Sequence, residues 1–284
     1  MEIVNRVSRM SAITAKVLST DIRIGLVSTM GVIHPGHLSL IQTARKMTDL
    51  VVVSIFVNRL QFLTEEEYRQ YPRDLTKDLD LLRHENVDYV FTPPEAEMYP
   101  PDFSTHVVVE NFGRNLPGLH QSSFFKGMTT SVVKMLQIVR PAFIFFGHKD
   151  GLQGAILRKM IRDLNISTEV VVTPVVRDSS GLAYAARNYF LTESQKVAAS
   201  VIYRSLRAAE DAIASGETQS RKIIGDITSV VESEPQAKLE YAVIADPETL
   251  EPLAKIQGSA LIGVGAMIGN TSLNDSLLLE KPAK

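Results

Sequence analysis

Residues 22–57 read IRIGLVSTMGVIHPGHLSLIQTARKMTDLVVVSIFV, and this stretch decides the fold. Its ends are two apolar runs of strand length, Ile22–Val27 and Leu50–Val57. The second is β-branched and apolar on both faces, as a strand buried inside a parallel sheet must be. Between them Leu38, Ile41, Ala44 and Met47 recur at helical spacing. Strand, turn, helix, strand is one βαβ unit.

The pattern continues outward. Leu75, Leu79 and Leu82 mark a second helix, and Met128, Val132, Leu136 and Val139 a third. Ile144–Phe146 is a short strand ending at Gly147. Ile156, Met160 and Leu164 mark a further helix, and Glu169–Val172 another strand. The expectation is an α/β fold, a Rossmann-like doubly wound parallel sheet over residues 1–176. Ligands of such sheets sit at the carboxyl ends of strands. The segments after Val27, Val57, Phe146 and Val172 are therefore where chemistry is expected.

Composition changes after Pro174. Residues 177–188 carry Asp178, Ser179, Ser180 and Gly181 and predict a mobile loop. Thr192-Glu193-Ser194-Gln195 resembles a capping box and opens a helix with an apolar face of Ala198, Ile202, Leu206, Ala209 and Ile213. Gly216 is its expected stop. Leu239, Tyr241 and Val243 alternate as in a half-buried strand. Residues 189–284 are thus expected to form a smaller C-terminal α+β domain.

Composition removes several classes of function. The chain has 284 residues, no cysteine and a net charge of −2. Without cysteine there is no disulfide scaffold, zinc–thiolate site or cysteine nucleophile. Without excess positive charge a nucleic-acid partner is not expected. Hydrophobic residues at 45% and charged residues at 22% suit a folded globular chain. Residues 1–20 lack the apolar core of a signal peptide, and the apolar runs are too short to span a membrane. A cytoplasmic protein without a membrane partner is the expectation.

Four constellations carry the chemistry. In the turn after the first strand, His34-Pro35-Gly36-His37 has the spacing His-x-Gly-His. Gly36 lets a ligand approach the backbone, and the helix start favours an anion. Two imidazoles three apart can donate to phosphate oxygens. Structural histidines and a half-built metal site are the competing readings. Neither G-x-G-x-x-G nor G-x-x-x-x-G-K-[ST] is present in the required context, and the glycines at Gly263, Gly265 and Gly269 read as turn and strand packing. After the next strand, Asn58 and Gln61 are neutral amides suited to substrate oxygens or to holding their own loop. Gly147-His148-Lys149-Asp150 follows the third strand. Lys149 can neutralise phosphate charge, and Asp150 can accept from hydroxyls; an exposed ion pair is the alternative. The fourth segment is the 177–188 loop with Arg187.

These segments, in this order, resemble the pantoate–β-alanine ligase family of the nucleotidyltransferase and class I aminoacyl-tRNA synthetase superfamily. Thr29-Met30-Gly31 through Leu40 carries the resemblance first. Val57-Asn58-Arg59-Leu60-Gln61-Phe62 resembles V-N-P-x-Q-F, with Arg59 for proline. Phe146 through Gln153 resembles F-G-x-K-D-Y-Q-Q, departing at Gly151 and Leu152. Val176 through Asn188 is similar to V-R-x-x-x-G-L-A-M-S-S-R-N, with Tyr184, Ala185 and Ala186 for methionine and two serines. Gln121 through Phe125 stands where the family has R-P-G-H-F. Gly269 through Asp275 stands for G-x-T-R-L-I-D.

The resemblance implies a ligase that forms pantothenate from pantoate, β-alanine and ATP through a pantoyl adenylate, releasing AMP and pyrophosphate. It implies magnesium with the ATP, no metal site of the protein's own, and a homodimer. Around ATP it places Met30, Gly31, Val32, Ile33, His34, Pro35, Gly36, His37, Gly147, His148, Lys149, Asp150, Val176, Tyr184, Ala185, Ala186 and Arg187. His34, His37, Lys149 and Arg187 would serve catalysis. Gln61 and Gln153 would hold pantoate, Asn58 would contact substrate, and Gln61 would also lie near β-alanine. The lost loop serines weigh against full activity, since a transition-state donor is worth roughly 2.7–4 kcal/mol. A diverged adenylate-forming ligase for another acid or amine, or a non-catalytic nucleotide-binding relative, are the alternatives.

Overall fold

Alternating strands and helices appear where the periodicities predict them. The computed structural model describes residues 1–110 and 122–280. In chain order its elements are β1 (Glu2–Val4), α1 (Val7–Val17), β2 (Ile24–Thr29), α2 (Pro35–Met47), β3 (Leu50–Ile55), α3 (Glu65–Gln70), α4 (Leu75–His84), β4 (Tyr89–Phe91), α5 (Glu95–Met98) and α6 (Ser122–Val139). β5 (Phe143–Gly147), α7 (Gly151–Asp163), β6 (Glu169–Thr173), α8 (Glu193–Ala214), α9 (Ser220–Glu232), β7 (Ala237–Ala245), β8 (Ala260–Ile268) and β9 (Thr271–Leu279) follow.

The chain divides into two compact units. The first contains residues 1–109, 122–146 and 157–173, and the second residues 147–156 and 174–280. The segment Gly147–Ile156, expected with the first unit, counts with the second. Among the described residues no helix is long and apolar enough to cross a membrane.

In the first unit six strands form one sheet in the order β1-β4-β3-β2-β5-β6. β2 pairs parallel with β3 and with β5, so the strand order reverses at β2. Val27, Ile41, Val51, Val53, Val90 and Phe145 form a fully buried core around these strands. β2 starts two residues later than the apolar run, leaving Ile22 exposed, and continues through Ser28 and Thr29. Those two polar residues belong to the strand because their hydroxyls find cross-strand partners. Thr29 Oγ1 donates to the Ser54 carbonyl at 2.9 Å, and the Ser28 and Ser54 hydroxyls bond at 3.1 Å. The strands β1 and β4, of three residues each, are too short to register as periodic patterns.

The second unit carries an antiparallel sheet, β7-β8-β9, and the helices α8 and α9. Ile202, Leu206, Ile223, Ile227, Ile262 and Val264 lie in its core. Thr192 and Gln195 close the capping box at the start of α8. Gly216 ends that helix in the left-handed region, at φ 96°. Gly263 and Gly265 lie within β8, where the Tyr241 ring fills the space a side chain at 265 would need.

One close approach in the first unit positions the turn after β3. A Cβ on Gly127, in α6, would collide with the main chain of Leu60. Gln121, the first position of the R-P-G-H-F counterpart, lies outside the described residues. Gly127→Ala is expected to cost about 1–3 kcal/mol by overpacking, read as a lowered urea midpoint. An unchanged midpoint would show that the 59–61 turn yields freely.

Candidate active site

The turn after β2 is built around a buried carboxylate. Gly31 has φ 82° and Val32 φ 53°, a conformation a β-branched residue rarely adopts. Asp78, on α4, accepts hydrogen bonds from Val32 N at 3.0 Å and Ile33 N at 2.7 Å. Thr29 Oγ1 accepts from Gly31 N at 3.1 Å. Three consecutive amides are thereby satisfied, and the strained turn holds. Asp78 is 3% exposed. Burial pushes its carboxyl above the usual range, against the pull of the two amides. Gly31 is required because a Cβ there would stand 2.9 Å from Asp78 Oδ2.

This turn delivers the two histidines. His34 is the N-cap of α2 in extended conformation, with Pro35 in the first turn. Its ring stacks on that of His37, with centroids 3.8 Å apart and planes at 21°. The pair sits at the amino end of a 13-residue helix, where N–H groups and the dipole favour an anion.

At the end of β3, Asn58 is buried. Its Nδ2 donates to the Gly127 carbonyl at 2.9 Å, and its Oδ1 accepts from Leu60 N at 3.1 Å. Both ends of the amide hold the turn that carries Gln61. Arg59 turns its guanidinium to Glu65 on α3 at 2.8 Å.

In the second unit, residues 148–150 form a 3₁₀ turn directly after β5. Among the described residues, none beyond its chain neighbours comes within 4 Å of where a Cβ of Gly147 would stand. Lys149 Nζ donates to Asp150 Oδ1 at 3.2 Å. Gln153 Nε2, expected to hold the acid substrate, donates to the same carboxylate oxygen at 3.2 Å. β9 joins this cluster through Asn274, whose Oδ1 accepts from Lys149 at 3.2 Å and whose Nδ2 donates to Asp150 at 3.0 Å. Burial works to raise the Asp150 carboxyl. The Lys149 charge, the bonds from Asn274 and Lys149, and the Arg187 charge outweigh it and hold the group below the usual range.

The 177–188 loop is tied at several points. Arg177 forms an ion pair with buried Asp275, with a second contact at 3.3 Å, and its guanidinium lies 4.0 Å over the Tyr203 ring. Asp178 Oδ1 accepts from Ser180 N and Leu182 N, and Tyr184 N donates to the Val176 carbonyl. Ala185 and Asn188 line a small recess with Lys149, Tyr203 and Asn274. Ala186 opens the 3₁₀ turn Ala186–Phe190. Arg187 is exposed and donates to the Ser272 carbonyl at 3.2 Å.

Three departures from the family pattern have local explanations. Arg59 is engaged by Glu65. A Cβ on Gly151 would stand 2.6 Å from Ser276 Oγ, so glycine admits the hydroxyl that accepts from Gly151 N at 3.1 Å. Leu152 is buried, its side chain 3.3 Å from the Cβ position of Gly263.

Sequence reasoning missed Asp78, Asn274, Ser276 and Asp275. Asp78 had a signal: it lies on the same helical stripe as Leu75, Leu79 and Leu82, and a carboxylate on a buried stripe needs a partner. Asn274 and Asp275 lay in the segment that stands for G-x-T-R-L-I-D, but their partners are more than 90 residues away and no local pattern named them.

The family model for pantoate-beta-alanine ligase matches residues 2–278. The pantothenate synthetase of Thermotoga petrophila is 40% identical over 279 residues, 98% of this chain and 100% of that one. The crystal structure of pantothenate synthetase from Thermus thermophilus superposes with a TM-score of 0.91 at 36% identity, covering 98% and 99% of the two chains. That of pantoate-beta-alanine ligase from Francisella tularensis, complexed with beta-gamma ATP and beta-alanine, gives 0.80 at 31% identity, covering 98% and 97%.

Asp78→Ala is expected to orphan two turn amides and to cost about 3 kcal/mol in stability, read by thermal or urea unfolding. Wild-type stability in this variant would mean that the turn does not depend on the carboxylate.

Proposed function

The chain belongs to the pantoate–β-alanine ligase family, and from that premise we propose which of its residues carry the condensation of pantoate with β-alanine. It is an ATP-dependent ligase that forms pantothenate. A carboxylate oxygen of pantoate attacks the α-phosphorus of ATP, and the bond to the β-phosphate oxygen breaks, giving pantoyl adenylate and pyrophosphate. The amine of β-alanine attacks the acyl carbon. AMP leaves, the amine loses a proton, and the amide of pantothenate remains. The observation that carries this reading is the family match along residues 2–278.

Such a displacement asks the protein for placement and positive charge rather than for a nucleophile. His34 and His37 are proposed as donors to ATP phosphate oxygens, supported by their stacked rings at the start of α2. The main chain of residues 30–37 is proposed to lie along the nucleotide, and the fixed Gly31–Ile33 turn supports it. Lys149 is proposed to offset charge at the α-phosphate and on departing pyrophosphate, with Arg187 and the main chain of Val176 and Tyr184–Ala186 contributing. Asp150 would accept from ribose hydroxyls, with Gly147 and His148 beside the nucleotide. Gln61 and Gln153 are proposed to hold pantoate, and Gln61 to approach β-alanine. While donating to Asp150, Gln153 keeps its second N–H and its carbonyl oxygen for pantoate.

Magnesium is proposed to travel with ATP, held by phosphates and water. The described residues contain no group of three or more His, Cys, Asp or Glu able to hold a metal. Family resemblance supports a homodimer working in the cytoplasm. The two-domain organisation over 1–176 and 189–284, with a loop at 177–188 closing on ATP, is likewise proposed.

AMP release by the purified protein, with ATP, magnesium, pantoate and β-alanine omitted one at a time, tests the reading. AMP and pantothenate formation needing every component is the expected result; AMP formed with a different acid would overturn it. His37→Ala and Lys149→Ala should each lower adenylate formation about 10²-fold, and wild-type turnover in both would remove these roles. Ala185→Ser combined with Ala186→Ser should raise turnover by returning two hydroxyl donors, Ala185 already lining the recess with Lys149. No gain would show that the loop uses main-chain donors alone.

A further inference from the structure

We propose that Asn274 on β9 is a positioning residue for the ligase reaction, its carboxamide fixing the Lys149 ammonium and the Asp150 carboxylate relative to each other. The inference rests on the ATP role proposed for Lys149. Asn274 touches both charged groups at once, as acceptor to the ammonium at 3.2 Å and donor to the carboxylate at 3.0 Å. The reverse orientation of the amide would set N–H against ammonium and oxygen against carboxylate, so the charges themselves fix its direction. An apolar side chain of the same size could fill the space and do neither.

β9 is seated firmly enough to act as the reference. Two residues beyond Asn274, on the same face of the strand, Ser276 Oγ accepts from Gly151 N at 3.1 Å and donates to the His148 carbonyl. Two residues before it, the Ser272 carbonyl accepts from Arg187. On the opposite face Asp275 holds Arg177. One strand thus fastens the Lys149 turn, the loop arginine and the base of the loop. Lysine has a long flexible stem, and a charge that stabilises a transition state must already be in place when the reaction begins. Asp150 alone would hold the ammonium by one contact. Asn274 supplies the second and ties Asp150 to the same strand.

The test is a double-mutant cycle on the purified full-length enzyme. Asn274→Ala and Asn274→Leu, the second nearly conserving volume, are made in the wild-type and Lys149→Ala backgrounds. AMP release is followed with ATP, pantoate and β-alanine, and thermal unfolding checks the fold. Loss of a hydrogen bond to a charged group predicts a fall in kcat of about tenfold or more with Lys149 present. The KM for β-alanine should stay unchanged. With Lys149 already removed, Asn274→Ala should cause no further loss, because the amide acts through the lysine. A kcat within twofold of wild type in both variants overturns the proposal, and so do losses that multiply in the double mutant. ATP affinity, measured by calorimetry without acid or amine, runs the same cycle independently of the reaction. A wild-type enzyme that binds ATP but forms no pantothenate overturns the ligase reading alone. Asn274 is then decided by affinity: weakening confined to the Lys149 background supports its role, and equal weakening in both backgrounds overturns it.

Discussion

The turn after β2 depends on one buried carboxylate. Val32 sits in the left-handed region, which a β-branched side chain leaves unless something holds it. Asp78 supplies that hold by accepting from Val32 and Ile33 together. The carboxylate in turn remains inside the protein because those amides replace its water. The direction in which the chain leaves this turn sets the start of α2. That start sets the stacking of His34 on His37. The helix end proposed to bind phosphate therefore rests on an acidic residue from a different helix, hidden beneath the turn.

The second unit solves a similar problem with a strand. A 3₁₀ turn follows β5, and its charged residues would otherwise move on flexible stems. β9 presents Asn274 and Ser276 to that turn and the Ser272 carbonyl to Arg187. Extended backbone suits this task, since residues two apart face the same way at a fixed rise. Asp150 collects donors from Lys149, Gln153 and Asn274 on one oxygen. That concentration holds its carboxyl below the usual range although it is half-buried, and keeps the lysine beside it.

The departures from the family pattern separate on packing grounds. Gly151 and Leu152 pack against Ser276 and Gly263, so each matches a local partner within its own unit. Arg59 leaves its turn toward Glu65. Ala185 and Ala186 are different in kind. They delete hydroxyls without any new donor at those positions, and the recess beside Lys149 is lined by a methyl group where the family has an oxygen. The turn geometry around them is still set by main-chain bonds.

The sequence by itself determined the parallel sheet, the helices α2, α4, α6 and α7 between its strands and the capped helix α8. Those features are written in local periodicity, and burial of one face follows directly from it. It also determined the family, since His34-x-Gly36-His37 and Gly147 through Asp150 keep their order along the chain. The strands β1 and β4, and the polar ends of β2, were decided by pairing, which period alone does not encode at three residues. Only the tertiary structure decided that Asn58 serves its own loop, that Asp78 underlies the histidine turn, and that Asn274 stands between Lys149 and Asp150. Each is a contact between residues 46 to 125 positions apart in the chain. Such contacts exist only once a particular register and crossover have brought distant segments together, and no local pattern of residues specifies which polar group will meet which.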